Sequence, residues 1–184
     1  MTTATITAPL ATGTWVLDPS HTTVGFTVRH LGFSKVRGQF GDVEGSVNVA
    51  EEVTASSGSV TIKTASFASG DEGRDGHVRS EDFLDVENHP TMTFTIVDVR
   101  PVAGNDYVVV GDLTIRGVTQ RVELATEYLG SDTDPFGNVK AGFEASTEID
   151  REDFGLTWNA ALESGGLLVG KTVQILLEVQ LNKA

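Results

Sequence analysis

The run GRDGHVRSEDFLD, residues 73–85, gathers Arg74, Asp75, His77, Arg79, Glu81 and Asp82. A base, two cations and several carboxylates this close together have the makings of a proton-transfer or anion-binding site. The same letters also read as a helix. Asp75 stands where an N-cap would, its carboxylate able to accept from the free N–H groups of the next turn. Val78, Phe83 and Leu84 would then form the buried stripe, with Arg79, Glu81 and Asp82 in water. Charged helix faces are mostly solvation. The expectation is therefore a short helix starting near Asp75 and lying against one end of the fold, with Arg74 just before the cap.

His30 is the second candidate. It continues the face formed by Val24, Phe26 and Val28 and should point inward. An inward histidine is most often a hydrogen-bonded core group. If the interior holds a ligand, it becomes a polar contact for a head group. His21, His30, His77 and His89 follow no metal-ligand spacing, and His21 and His30 fall on opposite strand faces, so no metal or cofactor is expected. Phosphate-cradling glycine loops and a G-x-S-x-G elbow are missing from the sequence. No catalytic residue is assigned; the enzymatic alternative uses His30 or His77 as a general base on a ligand held inside.

Strands must position these groups. Period-2 alternation dominates after residue 12. In TTVGFTVRH, Val24, Phe26, Val28 and His30 oppose Thr23, Thr27 and Arg29; in TMTFTIVDV, Met92, Phe94 and Ile96 oppose three threonines. Tyr107–Arg116 puts Leu113 and Ile115 on one face. Val118–Tyr128, Val139–Ile149 (with Phe143) and Val173–Leu181 repeat the scheme. Trp15–Leu17, Arg37–Val49 and Ser59–Thr64 bring the total to eight or nine. Apart from the charged run, only Ala50–Thr54 looks helical. With no βαβ alternation and tight turns such as Arg116–Gly117, the pattern predicts an all-β, antiparallel, eight-stranded up-and-down barrel with one or two short helices. Eight strands enclose an interior that side chains fill or that holds one small ligand, and periodicity does not choose.

Composition narrows the partners. The 184 residues suit one domain, with residues 1–12 as a disordered tail and 13–184 as the barrel; there is no cysteine. A net charge of −13 disfavours nucleic acid and anionic surfaces. No signal sequence or spanning segment is visible, so the expected setting is cytoplasmic, without stable membrane insertion.

Four stretches in order, WVLDPSHTTVGFTVRHLGFSKVRGQF, GRDGHVRSEDFLDVENHPTMTF, VVVGDLTIRGVTQRVEL and IDREDFGL, resemble the YceI-like family of polyisoprenoid-binding, lipocalin-like barrels. The resemblance implies a lumen kept open for a polyisoprenoid, an isoprenoid quinone or a similar amphiphile, which the protein binds, stores or transports, and it implies homodimers. The family's arginine–aspartate–histidine run matches Arg74, Asp75 and His77; its D-x-S-H pattern and following histidine match Asp18, Ser20, His21 and His30. On this reading Phe26, Val28, Met92, Phe94, Ile96, Leu113, Ile115 and Phe143 line the lumen, with His30, Arg74 and His77 near a head group. The remaining alternative is a protein-interaction barrel with a filled core.

Overall fold

The structure, a computed structural model, describes residues 8–184. Among them the strands are β1 (Gly13–Leu17), β2 (Thr23–His30), β3 (Ser34–Phe40), β4 (Val43–Val49), β5 (Ser57–Lys63), β6 (Phe67–Ala68), β7 (Thr91–Ala103), β8 (Asp106–Ile115), β9 (Val118–Thr133), β10 (Val139–Asp150) and β11 (Val169–Lys183). One α-helix, α1 (Glu72–Arg79), lies between β6 and β7.

These segments make eight strand positions. β1 and β2 both pair with the same edge of β11, Leu17 opposite Leu181 and Val24 opposite Leu177. They are one strand broken by the 3-10 turn Pro19–His21, where Asp18 accepts from the Ser20 N–H at 3.0 Å. The next position, read from sequence as one strand over Arg37–Val49, is β3 and β4 separated at Gly41 and Asp42. The third is β5 and β6, separated by the turn Thr64–Ser66. β7 to β11 are uninterrupted, each antiparallel to its sequence neighbour. The first position closes on the last through β1 and β11, giving a closed antiparallel barrel in which the two-residue β6 pairs only with β3.

Local chemistry explains several joints. Arg116 and Gly117 have φ of 48° and 75°, the left-handed pair that a two-residue hairpin needs to match strand twist. In β7, Ile96 pairs with Gly111 and Asp98 with Val110, so Val97 is an extra, outward residue. That bulge resets the alternation and sends Val99, rather than Asp98, toward the core. The helical expectation at Ala50–Thr54 corresponds to a 3-10 turn, Val53–Ala55.

Two expectations need correction. Part of the 1–12 tail, residues 1–7, falls outside the described residues, but residues 8–12 are not loose. Leu10 is buried in the core, the Ala8 N–H donates to Glu51 O at 3.3 Å, and the Trp15 indole N–H donates to Ala11 O at 2.9 Å. Apolar burial and these two hydrogen bonds hold this segment across the end of the barrel.

The helix cap is also displaced. Asp71, not Asp75, is the N-cap, accepting from the Arg74 N–H at 2.8 Å. Arg74 therefore sits inside the first turn. Asp75 is buried and turned back to Ser69, accepting from its N–H at 3.0 and 3.1 Å and from its hydroxyl. The Ser69 hydroxyl bond, opposed by burial and helped by the Ser69 N–H and by Arg79 and Arg74, holds the Asp75 carboxyl below the ordinary range. Phe83 and Leu84 are buried just past the helix and Glu81 is exposed.

Candidate functional site

The barrel surrounds a cavity of about 780 Å³. Phe26, Val28, Met92, Phe94, Ile96, Leu113, Ile115 and Phe143 all line it, on the face that alternation assigned inward. Its width depends on two glycines facing the same way. An added Cβ at Gly38 would lie 2.7 Å from the Phe26 ring, and one at Gly111 would lie 2.2 Å from the Phe94 ring. Both rings lie back against the neighbouring strand where a side chain would stand, which keeps them out of the middle of the lumen.

The two ends differ. β2 finishes, α1 lies and β11 begins at one end, and there His30, Arg74 and His77 reach the wall together with Arg29 and Arg151. Among the described residues no Asp or Glu lines the cavity, although the chain carries 26. The wall is apolar with arginines and histidines gathered at the α1 end.

Each polar group has its own support. Arg74 is exposed, with Nε donating to Ser69 Oγ at 2.7 Å and Nη2 to Ser69 O at 3.0 Å, so part of its guanidinium fork is still free to donate. His77 Nε2 bonds to Asp82 at 2.9 Å, and its ring stands edge-on to Trp158 at 4.5 Å and Phe83 at 5.1 Å. His30 is half-buried at the end of β2 and makes no side-chain hydrogen bond among the described residues. His21, by contrast, is outside the barrel, bonded to Asp18 at 3.0 Å.

Arg151, in IDREDFGL, was not singled out from sequence as a site residue. It is only 4% exposed. Nε donates to Gly170 O (2.8 Å), Nη1 to Leu156 O (2.6 Å) and Trp158 O (2.9 Å), and Nη2 to Val169 O (3.3 Å). The guanidinium also sits 5.8 Å from the Phe83 ring centre. Burial lowers its pKa, while Glu152 and Asp150 oppose that shift. This side chain ties the loop after β10 to the start of β11 and so fixes Trp158 against His77. Carbonyl partners of this kind leave no mark in the residue pattern. Trp158 was likewise not singled out from sequence.

A closed antiparallel barrel around a largely apolar lumen, with its arginines and histidines at one end, defines the class of lipocalin-like barrel proteins. Within that class the chain belongs to the YceI-like family, whose domain profile matches residues 15–181. A UPF0312 protein of Azotobacter vinelandii is 40% identical over 145 residues, covering 77% of this chain and 76% of the relative. A UPF0312 protein of Pseudomonas aeruginosa is 35% identical over 164 residues, covering 89% and 82%. The solved YceI protein of Campylobacter jejuni is 31% identical with a TM-score of 0.71, covering 91% of this chain and 96% of that one. BcnA of Burkholderia cenocepacia shares the fold at a TM-score of 0.78 and 23% identity, over 89% and 98% of the two chains. So does a polyisoprenoid binding domain from Saccharophagus degradans, at 0.67 and 15%, over 92% and 98%.

Proposed function

We propose that the protein binds and carries an isoprenoid-type lipid in its lumen without transforming it, the chain along the barrel and the polar head at the α1 end. The observation that carries this reading is the acid-free apolar wall, with Arg74, His30 and His77 at one end only. At roughly 30 Å³ for each water-sized group, the cavity accepts on the order of 25 carbons, about five isoprene units. Burying them is worth on the order of 20 kcal/mol, more than the roughly 4–15 kcal/mol that association costs. The resemblance of fold to a protein described as polyisoprenoid-binding supports the same ligand class.

One observation favours catalysis instead: the His77–Asp82 pair, an imidazole oriented by a carboxylate beside the lumen. In the carriage reading the pair only holds the ring edge-on to Trp158 and Phe83.

Organic extraction of purified protein followed by mass spectrometry tests the proposal. An intact isoprenoid amphiphile is expected, and Phe94→Asp, which places a carboxylate on the acid-free wall, should remove it. Arg74→Ala should weaken binding of an isoprenoid diphosphate but not of the matching alcohol. His30→Ala should weaken polar-headed ligands while leaving the bare hydrocarbon unchanged. A wild-type lumen that neither retains nor takes up such lipids refutes carriage, and turnover of an added lipid favours the enzyme.

A further inference from the structure

The β2–β3 turn at the α1 end has a composition that folding does not explain. Phe33 is 73% exposed, Leu31 37% and, in the adjoining loop, Leu167 49%. The Leu31 N–H donates to Leu168 O at 2.9 Å, so the two loops form one apolar tip. Leu31 also holds φ at 56°, a conformation that a bulky side chain adopts at a cost. Its backbone is strained and its side chain is still in water.

Below the tip lies a cationic strip. Arg29 and Lys35 are direct cross-strand partners, and Arg37 opposes Thr27 two residues further down the ladder. All three are exposed. Like charges directly opposite destabilise a sheet. Three exposed cations elsewhere on the barrel have acidic partners, Arg100 with Glu123, Arg121 with Asp112 and Lys171 with Glu152, although among the described residues Lys63 and Arg74 do not. Arg29, Lys35 and Arg37 have none among the described residues, and Arg29 donates instead to Phe33 O at 3.2 Å. Residues 29–37 contain no carboxylate, and the adjoining loop, residues 155–168, adds only Glu163. In a chain of net charge −13 this is a local reversal of sign.

We infer that this tip docks on an anionic membrane surface, with Phe33, Leu31 and Leu167 entering the interface and Arg29, Lys35 and Arg37 facing the lipid phosphates. Exposed aromatics beside cations are the chemistry of interfacial binding. The net negative charge does not prevent it. A surface charge acts over about one Debye length, about 10 Å at 0.1 M salt, so the local sign of the strip counts for more at the tip than the net charge of the chain. Arg29 belongs to this strip and also reaches the cavity wall beside His30, so the docked barrel presents the α1 end of the lumen to the bilayer. The inference rests on lipid carriage for its purpose, but vesicle binding is measured independently of it.

The test uses the full chain and sedimentation with vesicles of phosphatidylcholine alone or mixed with phosphatidylglycerol. Wild type should bind the mixed vesicles, far less the neutral ones, and release them as salt rises. Lys35→Ala with Arg37→Ala should weaken binding roughly thirtyfold, and Phe33→Asp more than tenfold. These residues are exposed, so melting curves should stay unchanged. In Phe33→Trp, emission should shift to the blue on adding mixed vesicles. Absence of wild-type binding, or equal binding by Phe33→Asp, overturns the inference. So does a dimer that Phe33→Asp splits without any vesicle binding, which would make the tip a contact between copies. Extracted lipid with no vesicle binding sinks docking alone; vesicle binding with an empty lumen sinks carriage alone.

Discussion

Replacing Gly111 by alanine distinguishes an open lumen from a filled core. The new Cβ would lie 2.2, 2.5 and 2.8 Å from three atoms of the Phe94 ring, where ordinary contact begins at 3.4 Å. The ring must therefore withdraw by about an ångström or swing away. The Gly111 backbone is outside the left-handed region, so alanine brings no φ strain. In a filled barrel the displaced ring meets packed neighbours, at about 1–3 kcal/mol. For a chain of this size that lowers Tm by roughly 2–12 °C.

Around an open lumen the ring swings inward instead. The overpacking cost then falls away, and the loss of unfolded-state freedom contributes about 0.4–1 kcal/mol of stability. Tm of delipidated protein should match wild type or rise by up to about 4 °C. The cost appears in the ligand. One benzene ring fills roughly 150 Å³, about a fifth of the cavity and the room of one isoprene unit. Ligands long enough to fill the wild-type lumen should lose up to about 4 kcal/mol, while chains one unit shorter bind as before. Calorimetry on delipidated protein and a titration across isoprenoid lengths measure both. A variant that melts several degrees lower with unchanged length selection would refute the open lumen.

Other variants probe the α1 end and the barrel seam. Asp75→Ala should cost about 1–3 kcal/mol by leaving the Ser69 N–H without its carboxylate, whereas Asp71→Ala should cost only about 1 kcal/mol as a lost cap; chemical denaturation ranks the two. Burial alone would raise the Asp18 carboxyl, but the His21 bond, the Ser20 N–H, the His21 charge and Asn182 bring it down to about 2 from 3.8. Because the folded value is the lower one, this stability is complete above pH 3.8 and disappears as pH falls through about 2. It amounts to at most about 2 kcal/mol, so Asp18→Asn should melt with a shallower loss of Tm across that window than wild type. Arg151→Met should cost about 3 kcal/mol or more by stranding buried carbonyls, and Arg151→Lys should not restore the loss, since one ammonium cannot span partners on both sides of the fork. An Arg151→Lys protein as stable as wild type would show that the fork is dispensable.

The inward set Phe26, Val28, Met92, Phe94, Ile96, Leu113, Ile115 and Phe143 was readable because a strand's two faces alternate with period 2, whatever the strand packs against. The tight hairpin at Arg116–Gly117 was readable for a similar reason, since two left-handed residues are a local demand. Where the chain needed a distant partner, reading stopped. Asp71 and Asp75 both have N-cap chemistry. Ser69, at the end of the preceding strand, takes Asp75 for itself and leaves the cap to Asp71. Leu10 looks like any residue of a polar tail until the barrel end gives it a surface to cover. Arg151 is held by carbonyls up to 19 residues away, and a carbonyl belongs to every residue, so no spacing announces it. The family resemblance implied an open lumen where periodicity allowed an open or a filled one. In the structure the lumen's width depends on Gly38 and Gly111 receiving the Phe26 and Phe94 rings across strand pairs, a packing relation that exists only once the strands are in register.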